Sequence, residues 1–239
     1  MSYAFSGETQ VAGSDVLDHL GLVAATIDKL GLVRKIDELI PVIAGKGAKL
    51  SHGQRVAAMI MNGLGFINDR LYMFPKFLAN KPVAKLFGHG IKAEDFNDDG
   101  LGRSLDKIHA YGETKLYSDI ALKVGLEHNL LGRSHHLDTT SLTVYGEYEE
   151  GSTLNTEVIV KPEYGHAKNK RFDLKQMTLL LATTGKSNFP LWMEAHSGNA
   201  ADKVSLQEAT ERMHKFFKGL KDAPDFLYVG DSAQCIVIV

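Results

Sequence analysis

The spacing of apolar residues changes once along this chain, after Gly132, and that change constrains the fold more than any other feature. Before it, apolar residues recur every three or four positions, which is typical of a helix with one buried face. This helical spacing begins at Asp15 and returns after Ser51, Asp99 and Thr114. After Gly132 the chain is rich in Thr, Val and Tyr, which are typical of strands. The sequence therefore predicts a helical half followed by a half that contains a sheet.

The helical half contains one clear start signal. Ser51 is followed three residues later by Gln54, which is the spacing of a capping box, so we expect a helix to begin near Ser51. Gly63 and Gly65 weaken the helical pattern that follows. We expect a disordered N-terminus over residues 1–14 and a helical domain over residues 15–128.

The second half predicts a mixed sheet. Strands are expected over residues 135–148, 157–161 and 177–182, and consecutive strands favour antiparallel pairing. A helix opening at Asp202 and a strand over 226–229 follow. Three strands, a helix and a strand form the beginning of a mixed α/β domain, which we place at 132–239. The predicted fold class is therefore α+β, with the boundary between Gly125 and Ser134.

Composition excludes several classes of protein. Of 239 residues, 44% are hydrophobic and 23% charged, which excludes a disordered or fibrous chain. A net charge of −2 provides no overall basic excess, so a polyanion would have to bind a local patch. The single cysteine, Cys235, excludes an internal disulfide and a cysteine-rich zinc site. With no signal peptide or membrane span in the pattern, we expect a cytoplasmic protein without a membrane partner.

Two aspartates are candidates for a metal site. Asp138 lies within the first predicted strand, where burial of an unpaired carboxylate would be costly, so it would need a partner or a metal ion. Asp231 ends the strand that begins at 226, and a period of two places it on the face of Leu227 and Val229. Carboxylates on neighbouring strands can hold two Mg²⁺ or Mn²⁺ ions for phosphoryl transfer. The alternative is that Asp138 is an edge or turn residue and Asp231 begins a loop.

A second candidate region is basic. The segment from 161 to 175 has a net charge of +3, from Lys161, Lys168, Lys170, Arg171 and Lys175 against Glu163 and Asp173. Such a patch could bind phosphates, and the alternative is a solvated loop.

A pair of cations in the helical half allows the same two interpretations. Arg103 and Lys107 lie four residues apart after Asp99, so they share one side of the predicted helix. They could contact DNA or form a solvated face. The sequence favours the solvated face.

Seven short motifs in order resemble bacterial insertion-sequence transposases of the DDE class, in the IS-four-like group. They are Leu50-Ser51-His52-Gly53-Gln54, Asn62-Gly63-Leu64-Gly65-Phe66, Asn97-Asp98-Asp99-Gly100-Leu101-Gly102-Arg103-Ser104-Leu105-Asp106, His136-Leu137-Asp138-Thr139-Thr140-Ser141, Gly165-His166-Ala167-Lys168, Asp173-Leu174-Lys175-Gln176 and Gly230-Asp231-Ser232-Ala233. The resemblance implies an N-terminal domain of uncharacterised function, a partial RNase H-like catalytic domain and DNA as substrate.

The resemblance also implies roles for particular residues. Asp138 matches the first catalytic aspartate and Asp231 the second, and both would hold Mg²⁺ or Mn²⁺. DNA contacts would come from Lys168, Lys170, Arg171 and Lys175. Relatives usually read Lys-Asp-x-Arg-Pro-Asp where this chain reads Lys168-Asn169-Lys170-Arg171-Phe172-Asp173, so the loop loses an aspartate and a proline but keeps its positive charge.

The largest departure from the family pattern is a missing carboxylate. DDE chemistry uses a third acidic residue, a glutamate on a later helix, and no glutamate follows Asp231 in this sequence. We therefore expect a truncated transposase that is catalytically incomplete. The expected partners are transposon terminal inverted repeats, target DNA, and a further copy of this chain or an intact transposase. Alternatives are a DNA-binding or partner-binding fragment that modulates an intact transposase, and a product that is not stable.

Overall fold

The computed structural model describes residues 17–42, 49–66, 70–146, 160–165, 170–199, 202–219, 227–230 and 237–238. The chain divides into two compact units, between Ala110 and Tyr111. Among the described residues the first unit is helical, and the second contains a mixed sheet with helices. The expected α+β class is confirmed. No described helix combines the length and the apolar character that crossing a membrane requires.

The first unit is built from six α-helices in its described part. They are α1 (Asp18–Lys29), α2 (Leu32–Leu39), α3 (His52–Met61), α4 (Phe74–Leu78), α5 (Val83–Phe87) and α6 (Asp98–Tyr111). The helical spacing of α1 buries Leu20 and Ile27, as predicted from the sequence. Phe96 lies at the centre of the core, with its ring centroid 4.7 Å from that of Phe87 and 6.1 Å from that of Phe74.

The predicted capping box begins α3. The Ser51 side chain accepts a hydrogen bond from the Gln54 backbone N–H at 3.1 Å, and the Gln54 side chain accepts one from the Ser51 N–H at 2.9 Å. These bonds satisfy backbone donors that the first helical turn would otherwise leave open. The α-helix ends at Met61, and a π-helical turn, Asn62–Phe66, follows where Gly63 and Gly65 weaken the pattern.

Removal of this cap should destabilise the helical unit. We expect Ser51→Ala to lower the free energy of unfolding by about 1 kcal/mol, because alanine cannot accept the Gln54 N–H bond. Urea unfolding followed by far-ultraviolet circular dichroism measures this loss. Ser51→Asp retains an acceptor and is the control, so an equal loss in both variants would contradict the role of the cap.

Gly53 allows α2 and α3 to approach closely. A Cβ atom at this position would overlap the Val33 carbonyl oxygen, and it would lie 2.9 Å from the Val33 Cα. The Gly53 N–H also donates to the Asp37 carboxylate at 2.7 Å. The glycine of the Ser51-His52-Gly53-Gln54 motif is therefore required by helix packing.

The second unit contains a five-stranded sheet in its described part. The strands are β1 (Ser134–Thr143), β2 (Gln176–Thr184), β3 (Pro190–Ser197), β4 (Leu227–Gly230) and β5 (Val237–Ile238), in the order β3-β2-β1-β4-β5. β1 pairs antiparallel with β2, and β2 antiparallel with β3. β4 lies parallel to β1, and β5 antiparallel to β4. The sheet is therefore mixed, with antiparallel strands on one side of β1 and a parallel strand on the other.

Two helices belong to this unit. α7 (Glu113–Glu127) packs against β3, and α8 (Asp202–Lys218) covers one face of the sheet. Leu137, Leu180 and Tyr228 on that face form a single core with Met213 and Phe217 of α8. Each of these side chains is almost completely buried, so the α8 face is the folded interior of the unit.

Two sequence expectations differ from the structure. The sequence did not predict the strand Pro190–Ser197. Of the strand expected over 157–161, residues 157–159 lie outside the described part, and Val160 and Lys161 lie in no strand. The division between units falls after Ala110, whereas the sequence placed it between Gly125 and Ser134. The reason is that α7 packs on β3, so it belongs to the sheet unit although its apolar pattern is that of the preceding helices.

Candidate functional site

Asp138 lies in the middle of β1, on the face opposite α8. The strand alternates strictly here: His135, Leu137 and Thr139 are buried, while Asp138 and its neighbours on the other side are exposed. The sequence argument that burial forces Asp138 to find a partner was therefore wrong, because this carboxylate retains contact with solvent. One oxygen accepts a hydrogen bond from the Thr139 N–H at 2.7 Å, which helps to fix the side chain against the strand.

β4 places a second candidate strand beside Asp138. His136 pairs with Val229, and Leu137 pairs with Gly230, in the parallel register between β1 and β4. Leu137 directly precedes Asp138, and Gly230 directly precedes Asp231 in the sequence. Asp231 itself lies outside the described residues. Its predicted partnership with Asp138 therefore stays a prediction.

Carboxylate oxygens suit a hard divalent cation such as Mg²⁺ or Mn²⁺. Asp138 fits this role because it is exposed and lies in β1, where it pairs with Leu181 of β2 directly after the last described pair with β4, Leu137 with Gly230. Among the residues that the structure describes, no three His, Cys, Asp or Glu side chains converge as a metal-binding group. The described part therefore supplies one suitable ligand, and further ligands would have to come from other positions.

The basic segment divides into two parts. Lys168 lies outside the described residues. Lys170 and Arg171 occupy an exposed turn before β2, where Lys170 adopts a left-handed conformation with φ 62°. Arg171 forms a two-pronged ion pair with Asp173, with both N···O distances 2.8 Å. This contact raises the pKa of Arg171 and lowers that of Asp173.

Lys175 lies on the same face of the sheet as Asp138. It directly precedes β2, and its carbonyl accepts a hydrogen bond from the Val144 N–H at 3.0 Å. Gln176 and alternate residues after it are buried on the α8 side, so the alternation places Lys175 on the opposite side. Of the predicted DNA-contacting residues, Lys175 is the one that the described structure places on the Asp138 face of the sheet.

Sequence reasoning missed a close crossing of three chain segments beside this region. The Gln176 side chain donates to the Gly198 carbonyl at 2.9 Å, and it is buried. Glu163 and Gln176 exchange two backbone hydrogen bonds, of 2.9 and 3.0 Å. A Cβ atom on Gly165 would overlap the Gly198 carbonyl oxygen. Gly165 and Gln176 both occur in the family-like motifs, which is the signal that could have identified this crossing.

A polar group between β3 and α8 was also missed. Glu194 accepts a hydrogen bond from the Trp192 ring N–H at 3.1 Å and pairs with Arg212 at 2.6 Å. His196 lies 3.7 Å from the same carboxylate. This group joins α8 to the sheet. No sequence signal identifies it, because Glu194 and Arg212 are separated by a strand end, a loop and half a helix.

Comparisons with known proteins give one match. No curated protein and no solved structure matches the chain significantly. One segment of the chain, residues 12–122, matches a family model; it begins before α1, spans the helical unit and continues into α7. The family is described as a domain of unknown function, DUF4277.

Proposed function

We propose that this chain is a DDE-type transposase by descent, of the IS-four-like group, in which Asp138 and Asp231 are two of the metal-binding carboxylates. The supporting observation is the parallel pairing of β1 with β4. It aligns Leu137 with Gly230, the two residues that immediately precede the aspartates. The proposed RNase H-like character of the second unit depends on the same arrangement, three antiparallel strands followed by a helix and a strand parallel to the first.

The faces of the two strands support the same pairing. His136 and Asp138 share the face opposite α8. Val229 pairs with His136 and alternates with the buried Tyr228, so Val229 lies on that same face. Asp231 follows Val229 by two residues, and a period of two predicts that its carboxylate lies on that face. Two carboxylates on adjacent strands of one face could then bind one metal cluster.

The chemistry of the proposed site is phosphoryl transfer. Bound Mg²⁺ or Mn²⁺ would activate a water or a DNA 3'-hydroxyl and stabilise the leaving oxygen. Asp138 would hold the metal, and its bond to the Thr139 N–H would keep the carboxylate oriented. Lys175 lies six residues before Leu181, the residue of β2 that pairs with Asp138. At the rise per residue of a β-strand, six residues span ~20 Å. That length corresponds to about six base steps, so DNA bound at Asp138 would bring its backbone within reach of Lys175.

Mn²⁺ binding tests this proposal without requiring turnover. We expect titration of the full chain with Mn²⁺, followed by water proton relaxation, to show binding that Asp138→Asn weakens at least about tenfold, because a ligand is lost. Asp106→Asn, an exposed aspartate of α6, is the control and should bind Mn²⁺ as the unmodified chain does. Equal Mn²⁺ affinity in the unmodified chain and Asp138→Asn would overturn the metal site.

A second candidate function is a DNA-binding fragment that modulates an intact transposase. The exposed turn at Lys170 favours it, because this turn could contact phosphates without any metal. In duplex binding measured by fluorescence anisotropy, Lys170→Ala should reduce the slope of log affinity against log salt by about one. DNA binding of this kind together with unchanged Mn²⁺ affinity in Asp138→Asn would favour the second function over the first.

A further inference from the structure

We propose that the contact between α3 and α6 in the helical unit is a phosphate-binding site formed by Arg55, Arg103 and Lys107. The site lies in the segment that matches the domain of unknown function. It uses no residue of the proposed metal site, so the two proposals stand or fall separately.

Buried contacts fix how α3 and α6 meet. The His52 ring nitrogen Nδ1 lies 2.9 Å from the Ser104 hydroxyl, which also donates to the Gly100 carbonyl at 3.2 Å. One turn further along α3, the Arg55 guanidinium packs on Gly100, where a Cβ would lie 3.3 Å from its Nε and 3.5 Å from its Nη2. His52 therefore faces Ser104 and Arg55 faces Gly100, which shows that the helices run in opposite directions here. The absence of a side chain at Gly100 makes room for the guanidinium.

This packing concentrates positive charge. Burial and then the Arg103 guanidinium lower the pKa of Arg55. Burial, Arg55 and Lys107 lower the pKa of His52, and only Asp37 opposes them. The Asp37 carboxylate already accepts the Gly53 N–H. Arg103 and Lys107 follow Gly100 by three and seven residues, which is the spacing of one helix face, so with Arg55 they form a row of cations along this contact.

The charge of this row is not neutralised within the described part of the chain. None of the three cations forms a salt bridge there, although Asp99 and Asp106 lie on the same helix. The buried Nε of Arg55 has no hydrogen-bond partner among the described residues. Like charges near one another repel, and an anion bound between them offsets that repulsion.

The chemistry of the row favours phosphate as that anion. A guanidinium group can donate two parallel hydrogen bonds to two oxygens of a phosphate. A lysine ammonium adds a positive charge that attracts the phosphate from any direction. Arg103 and Lys107 are exposed, so a phosphate on a large molecule could reach them. Both a nucleic-acid backbone and a small phosphate compound carry this group.

The test uses the full chain with inorganic phosphate and with a DNA duplex. Sodium phosphate should raise the unfolding temperature of the helical unit above that in sodium chloride of equal ionic strength, because the anion binds only the folded state. Arg103→Gln should abolish this difference. Arg34→Gln is the control: Arg34 is an exposed arginine of α2, 4.0 Å from Glu38, and its loss should leave the phosphate effect intact.

The DNA measurement distinguishes the two sources of phosphate. If the site takes a nucleic-acid backbone, Arg103→Gln should reduce the salt dependence of duplex binding by about one unit of slope. If the site binds a small phosphate compound, Arg103→Gln should leave duplex binding unchanged and should still abolish the effect of phosphate on the unfolding temperature. Arg55→Lys keeps the charge but loses the two-pronged geometry, so it should weaken the phosphate effect in either case. The proposal is overturned if phosphate stabilises Arg103→Gln as much as the unmodified chain.

Discussion

Replacement of Gly198 with alanine should destabilise the sheet unit by about 3 kcal/mol or more, the largest loss that we expect from a single added methyl group. A Cβ on Gly198 would overlap the Gln176 carbonyl oxygen, and it would lie 2.5 Å from the Glu163 carbonyl oxygen. All of these are backbone atoms, so no change of rotamer can make room. Unfolding in urea can be followed through the fluorescence of Trp192, the single tryptophan, which is buried in this unit.

The size of the expected loss follows from what a backbone shift would break. Gly198 donates its N–H to the Lys161 carbonyl at 3.2 Å and accepts from the Gln176 side chain at 2.9 Å. Moving Gly198 away would leave buried polar groups of this crossing without partners. Gly219→Ala, just after α8 in the same unit, is the control, because its added Cβ would come no nearer than 3.3 Å to another atom. A loss of stability in Gly198→Ala as small as that in Gly219→Ala would contradict the close packing of the backbone at Gly198.

The helical half was largely predictable because its signals are local. Ser51 and Gln54 define the start of α3 through contacts three residues apart, and these contacts form as predicted. β3 was not predicted because the pairing that defines it as a strand is not visible in the local sequence. It begins at Pro190, and a register shift between Ala182 and Thr183 leaves its pairing with β2 irregular, so it lacks the alternation by which strands are recognised.

The strand that carries Asp138 was predictable from its composition, but the surroundings of Asp138 were not. Which face Asp138 occupies depends on α8, which packs against the other side of β1 from more than sixty residues away. Similarly, the row of Arg55, Arg103 and Lys107 depends on two helices meeting at His52 and Ser104, and no spacing along the chain encodes that contact.

The second large effect that we expect is a loss of stability of the sheet unit in mild acid, caused by His135. This side chain is fully buried between the rings of Phe217 and Tyr228, with centroid distances of 5.6 and 6.0 Å. Burial and then the neighbouring His136 lower the pKa of His135 from 6.5 to about 4. As the pH falls below 6.5, the unfolded chain gains a proton that the folded chain does not. Stability should therefore fall by about 1.4 kcal/mol per pH unit, until the pH reaches the folded pKa.

Between pH 6.5 and pH 4, the total loss in the free energy of unfolding amounts to about 3 kcal/mol, which is a large part of the stability of a domain. The measurement is urea unfolding of the sheet unit at a series of pH values, read from Trp192. His135→Leu removes the titrating group and should flatten the curve, and His135→Gln serves the same purpose if leucine packs poorly. His128→Gln, an exposed histidine at the end of α7, should leave the curve unchanged. A curve that stays equally steep in both His135 variants would show that the acid sensitivity arises elsewhere, since burial of His135 is the physical cause that we assign to it.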